Sequence, residues 1–367
     1  MPELPEVETI KRGLVKFLVH KRIADVEILC DKSFQGPREL LLNQTITNIR
    51  RRGKALLIDL ENGITLLIHL RMTGQLIYRN AGIEDGADLM EVAHSQKISD
   101  TNSFAGGHPT DSFFTALPNQ QTRVIISLVD PTYREKSSIN PDFHDKSQSN
   151  HDHLYFNDQR KFGFIKVIPT DEVNDDSFIK SLAPEPWDMS AADFYQRLQH
   201  HPGAPIKAVI LDQKVIAGLG NIYADEALFM SKIHPEQLAG SLSQKEATLL
   251  LQSARTVMEH SIDSGGSTMA TYVRADGTRG NYLELFAQVF RREGQPCPVC
   301  GTEIIKIRVA GRGTHICPTC QMLHKKAPHC HRTQHSPVLT CRQVLCKTAL
   351  HPHRPHHSQP NPSGVSS

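Results

Sequence analysis

Four cysteines form the pattern in this sequence with the most specific chemistry. Cys297 and Cys300 are separated by two residues, as are Cys317 and Cys320, and sixteen residues lie between the two pairs. This spacing is typical of a zinc ribbon, in which four thiolates bind one Zn²⁺. Four thiolates leave no coordination position for water, so one structural Zn²⁺ per chain is expected. Neither pair lies in a βαβ pattern, which argues against a thioredoxin-like redox site.

The N-terminus places a second group of reactive residues side by side. Removal of Met1 would give Pro2 a free secondary amine, and the carboxyl group of Glu3 follows it directly. The same segment also has a structural interpretation, since Pro5 suits the first turn of a helix and acidic residues complement its positive end. Apolar residues then recur on one helical face as far as Leu18. A helix that begins near Pro5 is expected on either interpretation.

Basic residues gather in short clusters at 49–54, 159–163 and Arg291–Arg292, although the formal net charge is only +2. Such clusters are usually solvated surface, and they indicate nucleic-acid binding only if they meet on one face. The chain has 367 residues, enough for two or three domains, and its content of 39% hydrophobic and 22% charged residues is ordinary for a globular protein. No apolar run reaches the roughly 20 residues of a membrane span, and the N-terminus lacks a signal-peptide pattern. A cytoplasmic protein without a membrane partner is expected.

The elements that must position these residues follow from hydrophobic periodicity. Apolar runs on both sides of Asn62-Gly63 predict a β-hairpin. With the first helix, residues 2–170 are predicted to form a β-rich domain, with a sandwich as the favoured arrangement. Residues 79–121 and 131–150 are polar and irregular, which predicts long loop insertions.

Helical periodicity begins after a linker at 171–190 and defines a second domain at 191–285. Within it, Ser243 and Glu246 have the spacing of a capping box. The glycine turn at 217–221 is not a dinucleotide fingerprint, because no strand precedes it.

The C-terminal part divides into a zinc finger at 288–322 and a tail at 323–367. The tail contains no Asp or Glu and no sustained periodicity, so it is predicted to be disordered and basic. Its cysteines and histidines are irregularly spaced, which favours adventitious metal binding over a defined site.

Taken together, the chain resembles the formamidopyrimidine-DNA glycosylases over residues 2–321. The motifs PELPEVETI, RRGKALLIDL, IHLRMTG, NDQRKFG, GLGNIYADEALF and SGGST, followed by the zinc ribbon, occur in the order of that family. The resemblance implies an α+β multidomain fold with an N-terminal helix and β-sandwich, a helix–two-turn–helix domain and a β-hairpin zinc finger. It also implies a bifunctional DNA glycosylase and AP lyase of base excision repair. Such an enzyme flips out and excises oxidised purines, 8-oxoguanine and formamidopyrimidines, from double-stranded DNA.

The resemblance assigns the chemistry to the N-terminus. Pro2 is the expected nucleophile, which forms a Schiff base at the sugar C1′, and Glu3 is the expected proton donor. A secondary amine gives an iminium whose charge is fixed, so the C2′ hydrogens become acidic and β,δ-elimination follows. Lys54 matches a family lysine that assists departure of the base or phosphate, although without its motif it would be interpreted as an exposed strand-end lysine.

The resemblance also assigns DNA contacts. Met72, Arg160 and Phe162 match the residues that fill the void left by the flipped base, although Met72 and Phe162 could instead be core residues. Lys161 keeps a positive charge where the family more often has arginine. The remaining expected contacts are with backbone phosphates, from Lys207, Gly220, Asn221, Tyr223 and Arg312.

Two alternatives use the same motifs differently. Endonuclease VIII shares the architecture but usually begins Pro-Glu-Gly-Pro-Glu, whereas Leu4-Pro5 follow Glu3 here. A non-catalytic lesion-sensing protein would be expected to lose Pro2, Glu3 or Lys54, and all three are present. A monomer associated with the nucleoid through DNA is the expected state. The preferred lesion and the roles of the insertions and tail stay open.

Overall fold

The computed structural model describes residues 1–81, 103–107, 116–131, 151–266 and 286–323. The tail predicted to be disordered therefore lies, apart from its first residue, outside the described residues. No helix in the described ranges has both the length and the hydropathy needed to cross a bilayer.

The N-terminal helix α1 (Leu4–Leu18) begins where the sequence predicts. The backbone N–H of Glu3 donates to Glu6 Oε2 at 2.8 Å, which satisfies a donor that the first helical turn leaves free. Most of the apolar face of α1 packs into the core of the β-rich domain, whereas Leu4 belongs to the core of the helical domain. The first turn of α1 is therefore anchored in both domains.

The β-rich domain is a sandwich of two sheets, each five-stranded in the described residues. The first sheet comprises β1 (Arg22–Ile28), β6 (Gly74–Arg79), β7 (Ser103–Gly107), β8 (Thr122–Val129) and β9 (Asp152–Asp158), in the order β1-β8-β9-β6-β7. The second comprises β2 (Phe34–Gln35), β3 (Ile46–Arg52), β4 (Ala55–Leu60), β5 (Ile64–His69) and β10 (Phe164–Pro169), in the order β2-β10-β5-β4-β3. The hairpin predicted at Asn62-Gly63 is confirmed, since β4 and β5 pair antiparallel across it.

The prediction of an irregular loop over 79–121 is wrong in its middle, because β7 pairs there with β6. Two of its five residues are glycine, and it lacks the alternation that marks a strand in sequence. Packing against the rest of the domain, rather than a local sequence pattern, holds β7 in place. The ring of Phe104 fills the space beside Gly13, where a Cβ atom would overlap the ring.

The two insertions start from the same end of the first sheet. Arg79 pairs with Ser103 across the first, and Leu128 pairs with Asp152 across the second. At the other end of β6, Gly74 pairs with Asp158. At about 3.4 Å per residue, the two ends of β6 are about 17 Å apart.

The helical domain follows a short connecting segment. That segment carries α2 (Ser177–Lys180), whose Ile179 packs with strand residues of the sandwich. The helices of the domain itself are α3 (Ala191–Gln199), α4 (Ile206–Leu211), α5 (Asn221–Met230) and α6 (Gln244–Asp263). The predicted capping box of α6 is confirmed, because Ser243 N–H donates to Glu246 Oε2 at 2.7 Å and Glu246 N–H donates to Ser243 Oγ at 3.3 Å.

A β-hairpin, β11 (Ile305–Val309) and β12 (Arg312–Ile316), carries the cysteine pairs on its flanks. Gln321 joins it to the helical domain, since its Nε2 donates to Ile233 O at 3.0 Å and its Oε1 accepts from Cys317 N–H at 3.1 Å. The predicted α+β multidomain fold with a sandwich, a helical domain and a C-terminal hairpin finger is confirmed.

Candidate active site and zinc finger

Glu3 lies where the start of α1 meets the turn before α5. Its Oε1 accepts the N–H of Ile222 at 2.9 Å, and its Oε2 lies 3.5 Å from the N–H of Tyr223. The side chain can approach so closely because Gly220 has no Cβ, which would otherwise overlap Glu3 Cδ. Glu3 is only 2% exposed, and this burial raises its pKa to about 7, with Lys54 acting in the opposite direction. Glu3 can therefore hold a proton near neutral pH.

Lys54 reaches the same region from the turn between β3 and β4. Its ammonium is buried and donates to the carbonyl of Leu219 at 2.8 Å. Burial lowers the pKa of Lys54, while Glu3 and Glu6 oppose this effect and Arg312 adds to it. The structure thus brings the predicted residues Glu3 and Lys54 together beside one glycine turn.

The turn that carries Lys54 is fixed by an ion cluster that the sequence did not reveal. Arg51 makes a bidentate pair with Glu185 at 2.7 and 2.9 Å, and its Nε donates to Glu8 at 3.1 Å. The N–H of Gly53 also donates to Glu185, at 2.6 Å. Because Glu8 lies on α1 and Glu185 follows α2, this cluster fixes the Lys54 turn to both domains.

A buried chain of hydrogen bonds runs behind the Glu3 backbone. Glu6, which accepts the Glu3 N–H, also accepts from the hydroxyl of Tyr223 at 2.6 Å, and Ser261 Oγ lies 2.5 Å from that hydroxyl. Burial raises the pKa of Tyr223 well above its ordinary value, so the hydroxyl stays protonated. Tyr223 was predicted to contact DNA. That role stays a prediction, and in the structure its side chain lies wholly inside the protein.

Met72 and Phe162 are surface residues rather than core residues, with 36% and 56% of each residue exposed. The guanidinium of Arg160 lies 5.2 Å from the centre of the Phe162 ring. Lys161, between them, has a φ of +57°, which turns the chain sharply. The structure therefore presents these side chains to solvent.

One carboxylate organises both loops that carry these side chains. Asp158 accepts the N–H groups of Arg160 at 3.1 Å, Phe162 at 2.8 Å and Gly163 at 2.7 Å. It also accepts from the hydroxyl of Thr73, the residue after Met72. This shared partner was not identified from the sequence.

The glycine turn and the hairpin meet around Lys207. Its ammonium donates to Asp225 Oδ1 at 2.6 Å, Thr314 Oγ1 at 2.8 Å and Gly313 O at 3.2 Å, and the side chain is completely buried. Asn221 Nδ2 donates to the same Gly313 carbonyl at 3.1 Å. The phosphate contact expected of Lys207 stays a prediction, but all three of its donors already have protein acceptors. Arg312, at the start of β12, is exposed.

The four cysteines fit a zinc ion. Their sulfur atoms all lie within 4.8 Å of one another, with separations of 3.4 Å for Cys300–Cys317, 3.5 Å for Cys300–Cys320 and 3.9 Å for Cys297–Cys320. A tetrahedral Zn²⁺ with bonds of about 2.3 Å requires sulfur separations of about 3.8 Å. These residues form the zinc site of the finger, and the ion they hold would be structural.

A buried carboxyl group and a buried lysine thus lie at the junction of a β-sandwich and a helical domain, and a four-cysteine hairpin packs against the helical domain. Family models support each part. The formamidopyrimidine-DNA glycosylase N-terminal domain matches residues 1–165, its H2TH domain matches 182–273, and the zinc finger found in FPG and IleRS matches 294–321.

Proteins named formamidopyrimidine-DNA glycosylase match most of the chain. The formamidopyrimidine-DNA glycosylase of Pelotomaculum thermopropionicum is 37% identical over 327 residues, which is 88% of this chain and 99% of the relative. That of Latilactobacillus sakei is 37% identical over 328 residues, 88% of this chain and 98% of the relative. The chain belongs to the formamidopyrimidine-DNA glycosylase family.

Solved structures agree with this assignment. A Lactococcus lactis Fpg in complex with an abasic site containing DNA superposes with a TM-score of 0.67 at 30% identity, covering 88% of this chain and 100% of that one. The MutM (FPG) protein from Thermus thermophilus gives a TM-score of 0.65 at 31% identity with the same coverage.

Proposed function

We propose that the protein excises oxidised purines, 8-oxoguanine and formamidopyrimidines, from double-stranded DNA and then cleaves the strand at the abasic site. The observation that carries this proposal is the meeting of Glu3 and Lys54 at the start of α1, next to the turn before α5. Family membership supports it, and a mutant of the Lactococcus lactis relative was crystallised with a Fapy-dG containing DNA. Because all of these groups come from one chain, the proposed active form is a monomer, held at the nucleoid by its DNA substrate.

Removal of Met1 would leave the secondary amine of Pro2 as the nucleophile. In the chain that keeps Met1, burial lowers the pKa of the Met1 α-amino group, while the carboxyl groups of Glu3 and Glu6 oppose the effect. We infer a lowered pKa for the Pro2 amine as well. A lowered pKa increases the fraction of unprotonated amine, the form that attacks C1′. In this step the N–C1′ bond forms and the bond from C1′ to the base breaks. The base leaves with the electron pair and takes up a proton, and the nitrogen loses the proton it carried as an amine.

Glu3 suits the proton transfer that opens the sugar. A carboxyl group with a pKa of about 7 is partly protonated under neutral conditions, so it can give its proton to the ring oxygen as the C1′–O4′ bond breaks. The resulting iminium withdraws electrons from C2′, which loses a proton while the bond to the 3′ phosphate breaks. A second elimination at the 5′ side leaves a one-nucleoside gap with phosphate at both ends.

An enzyme that flips a base out of the duplex must also support the space that the base leaves. The exposed side chains on the two loops bound by Asp158 suit this task. Met72 and Phe162 offer apolar surface, and Arg160 offers a planar cation with five donors. We infer that they enter the vacated space, with Arg160 facing the partner base and Lys161 near a phosphate.

Covalent trapping tests the proposal directly. Borohydride should link the wild-type protein to a duplex with one 8-oxoguanine, and mass spectrometry should place the adduct on the Pro2 nitrogen of a chain that lacks Met1. Lys54→Ala should still be trapped on a duplex with a preformed abasic site, because the nucleophile is intact. An adduct on Lys54, or strand cleavage by hydrolysis without any trapped species, would overturn the assignment.

A further inference from the structure

The ion pair between Lys207 on α4 and Asp225 on α5 lies in the interior, with both side chains 0% exposed and 2.6 Å between Nζ and Oδ1. Two charges removed from water are tolerated only when further hydrogen bonds satisfy them. In this pair, the additional partners come from one strand of the zinc-finger hairpin.

Three consecutive residues of β12 supply those partners. Asp225 Oδ2 accepts the N–H of His315 at 3.0 Å, while Lys207 donates to Thr314 Oγ1 at 2.8 Å and to the Gly313 carbonyl at 3.2 Å. The pair therefore holds the backbone of β12 on both sides of Thr314, which is itself buried.

Residues 313–315 separate the exposed Arg312 from the zinc site along β12. They lie between Arg312, whose side chain is exposed, and Cys317, which is a zinc ligand. The zinc ion would fix β12 at its C-terminal end, and the Lys207–Asp225 pair fixes the end that carries Arg312. Zinc binding by itself would hold only the C-terminal end of β12, because Cys317 follows the strand.

We propose that Asp225 is a positioning residue for DNA binding, which acts through Lys207 and the backbone of residues 313–315 to hold Arg312 toward the phosphates beside the lesion. The inference rests on the proposed function and on the phosphate contact that the family resemblance implies for Arg312. It assigns Lys207 a role inside the protein, because its three donors are already occupied by Asp225, Thr314 and Gly313.

A double-mutant cycle tests this coupling. The affinity of zinc-loaded protein for a duplex with a stable abasic-site analogue is measured for the wild type, Asp225→Asn, Arg312→Ala and the double variant. Asp225→Asn should weaken binding about tenfold in the wild-type background and by less than about twofold in the Arg312→Ala background, since residues that act as a unit are not additive. Equal effects in the two backgrounds would overturn the proposal.

Asp225→Asn leaves the Lys207 charge buried without its partner, which can destabilise the fold. The double replacement Lys207→Met with Asp225→Leu removes both charges and the bonds to β12 while keeping apolar volume. This double variant should retain one zinc per chain and bind the duplex about as weakly as Asp225→Asn does. When Arg312→Ala is added, it should bind no more weakly than Arg312→Ala alone, within about twofold. Full affinity in this folded, zinc-loaded variant would also overturn the inference.

Asp176→Asn is the matched control, because Asp176 pairs with Lys166 and caps the start of α2, away from the hairpin. It should bind the duplex as the wild type does. If the wild type itself fails to bind and to be trapped, the proposed function is wrong. If the wild type is active and the cycle is additive, only the role of Asp225 is wrong.

Discussion

Glu3 should lower the stability of the folded protein at neutral and alkaline pH, because its carboxylate is buried. Burial raises its pKa from an ordinary 4.5 to about 7. Between these pH values the folded protein keeps a proton that the unfolded chain has released, so the free energy of unfolding falls as pH rises. At 1.36 kcal/mol for each pKa unit, the full cost is about 3 kcal/mol, reached above pH 7.

Glu3→Gln should remove this cost, since the amide is neutral at every pH. Relative to the wild type, the variant should gain about 1 kcal/mol at pH 5.5 and about 3 kcal/mol at pH 8.5. Urea unfolding followed by circular dichroism, with zinc present at each pH, measures the difference. The same variant should lose base excision, because it has no proton to give.

Glu27→Gln provides the control, since Glu27 is exposed on β1. The reasoning would be refuted if the gain in the free energy of unfolding from Glu3→Gln stayed constant or fell between pH 5.5 and 8.5. The Glu3 carboxyl group would then show no preference for its neutral form in the folded protein.

Three further outcomes are expected. Gly220→Ala should reduce the excision rate at least about a hundredfold, because its Cβ would displace the Glu3 carboxyl, whereas Gly203→Ala, which has open space around it, should match the wild type in single-turnover kinetics. Cys317→Ser should release zinc, detected with a chromogenic chelator, and weaken DNA binding at least about tenfold; a zinc-free variant with full affinity would contradict this. Replacing residues 82–102 by a short Gly-Asn-Gly turn should leave trapping on lesion DNA unchanged, because this insertion starts about 17 Å from the Met72 loop; loss of trapping in a folded variant would show that the insertion reaches the site.

Local signals predicted much of the architecture. The start of α1, the Asn62-Gly63 hairpin and the zinc ligands depend on neighbouring residues, so their patterns are visible in the sequence. Strand β7 was missed because its position depends on pairing with β6 and on the fit of Phe104, and neither leaves a local pattern.

The partners of the site residues were missed for the same reason. Glu6 and Tyr223 are hydrogen-bonded across 217 residues of sequence, and Arg51 and Glu185 across 134. The family resemblance pointed to Lys207 as a phosphate contact, whereas the acceptors that occupy its ammonium become apparent only when α4, α5 and β12 are packed together.

The attachment of the first turn of α1 to the helical domain has a consequence for synthesis of the protein. The N–H that Glu3 binds belongs to Ile222, which is synthesised 219 residues after it. Leu4 likewise joins a hydrophobic core whose other buried residues lie between Ala183 and Met258. At roughly 5–20 residues per second, this delay is roughly 10–40 s. A nascent chain therefore exposes Glu3 and Leu4 long before the residues that bury them are made, and a truncated chain that ends before α5 should lack the backbone N–H groups that bind the Glu3 carboxyl.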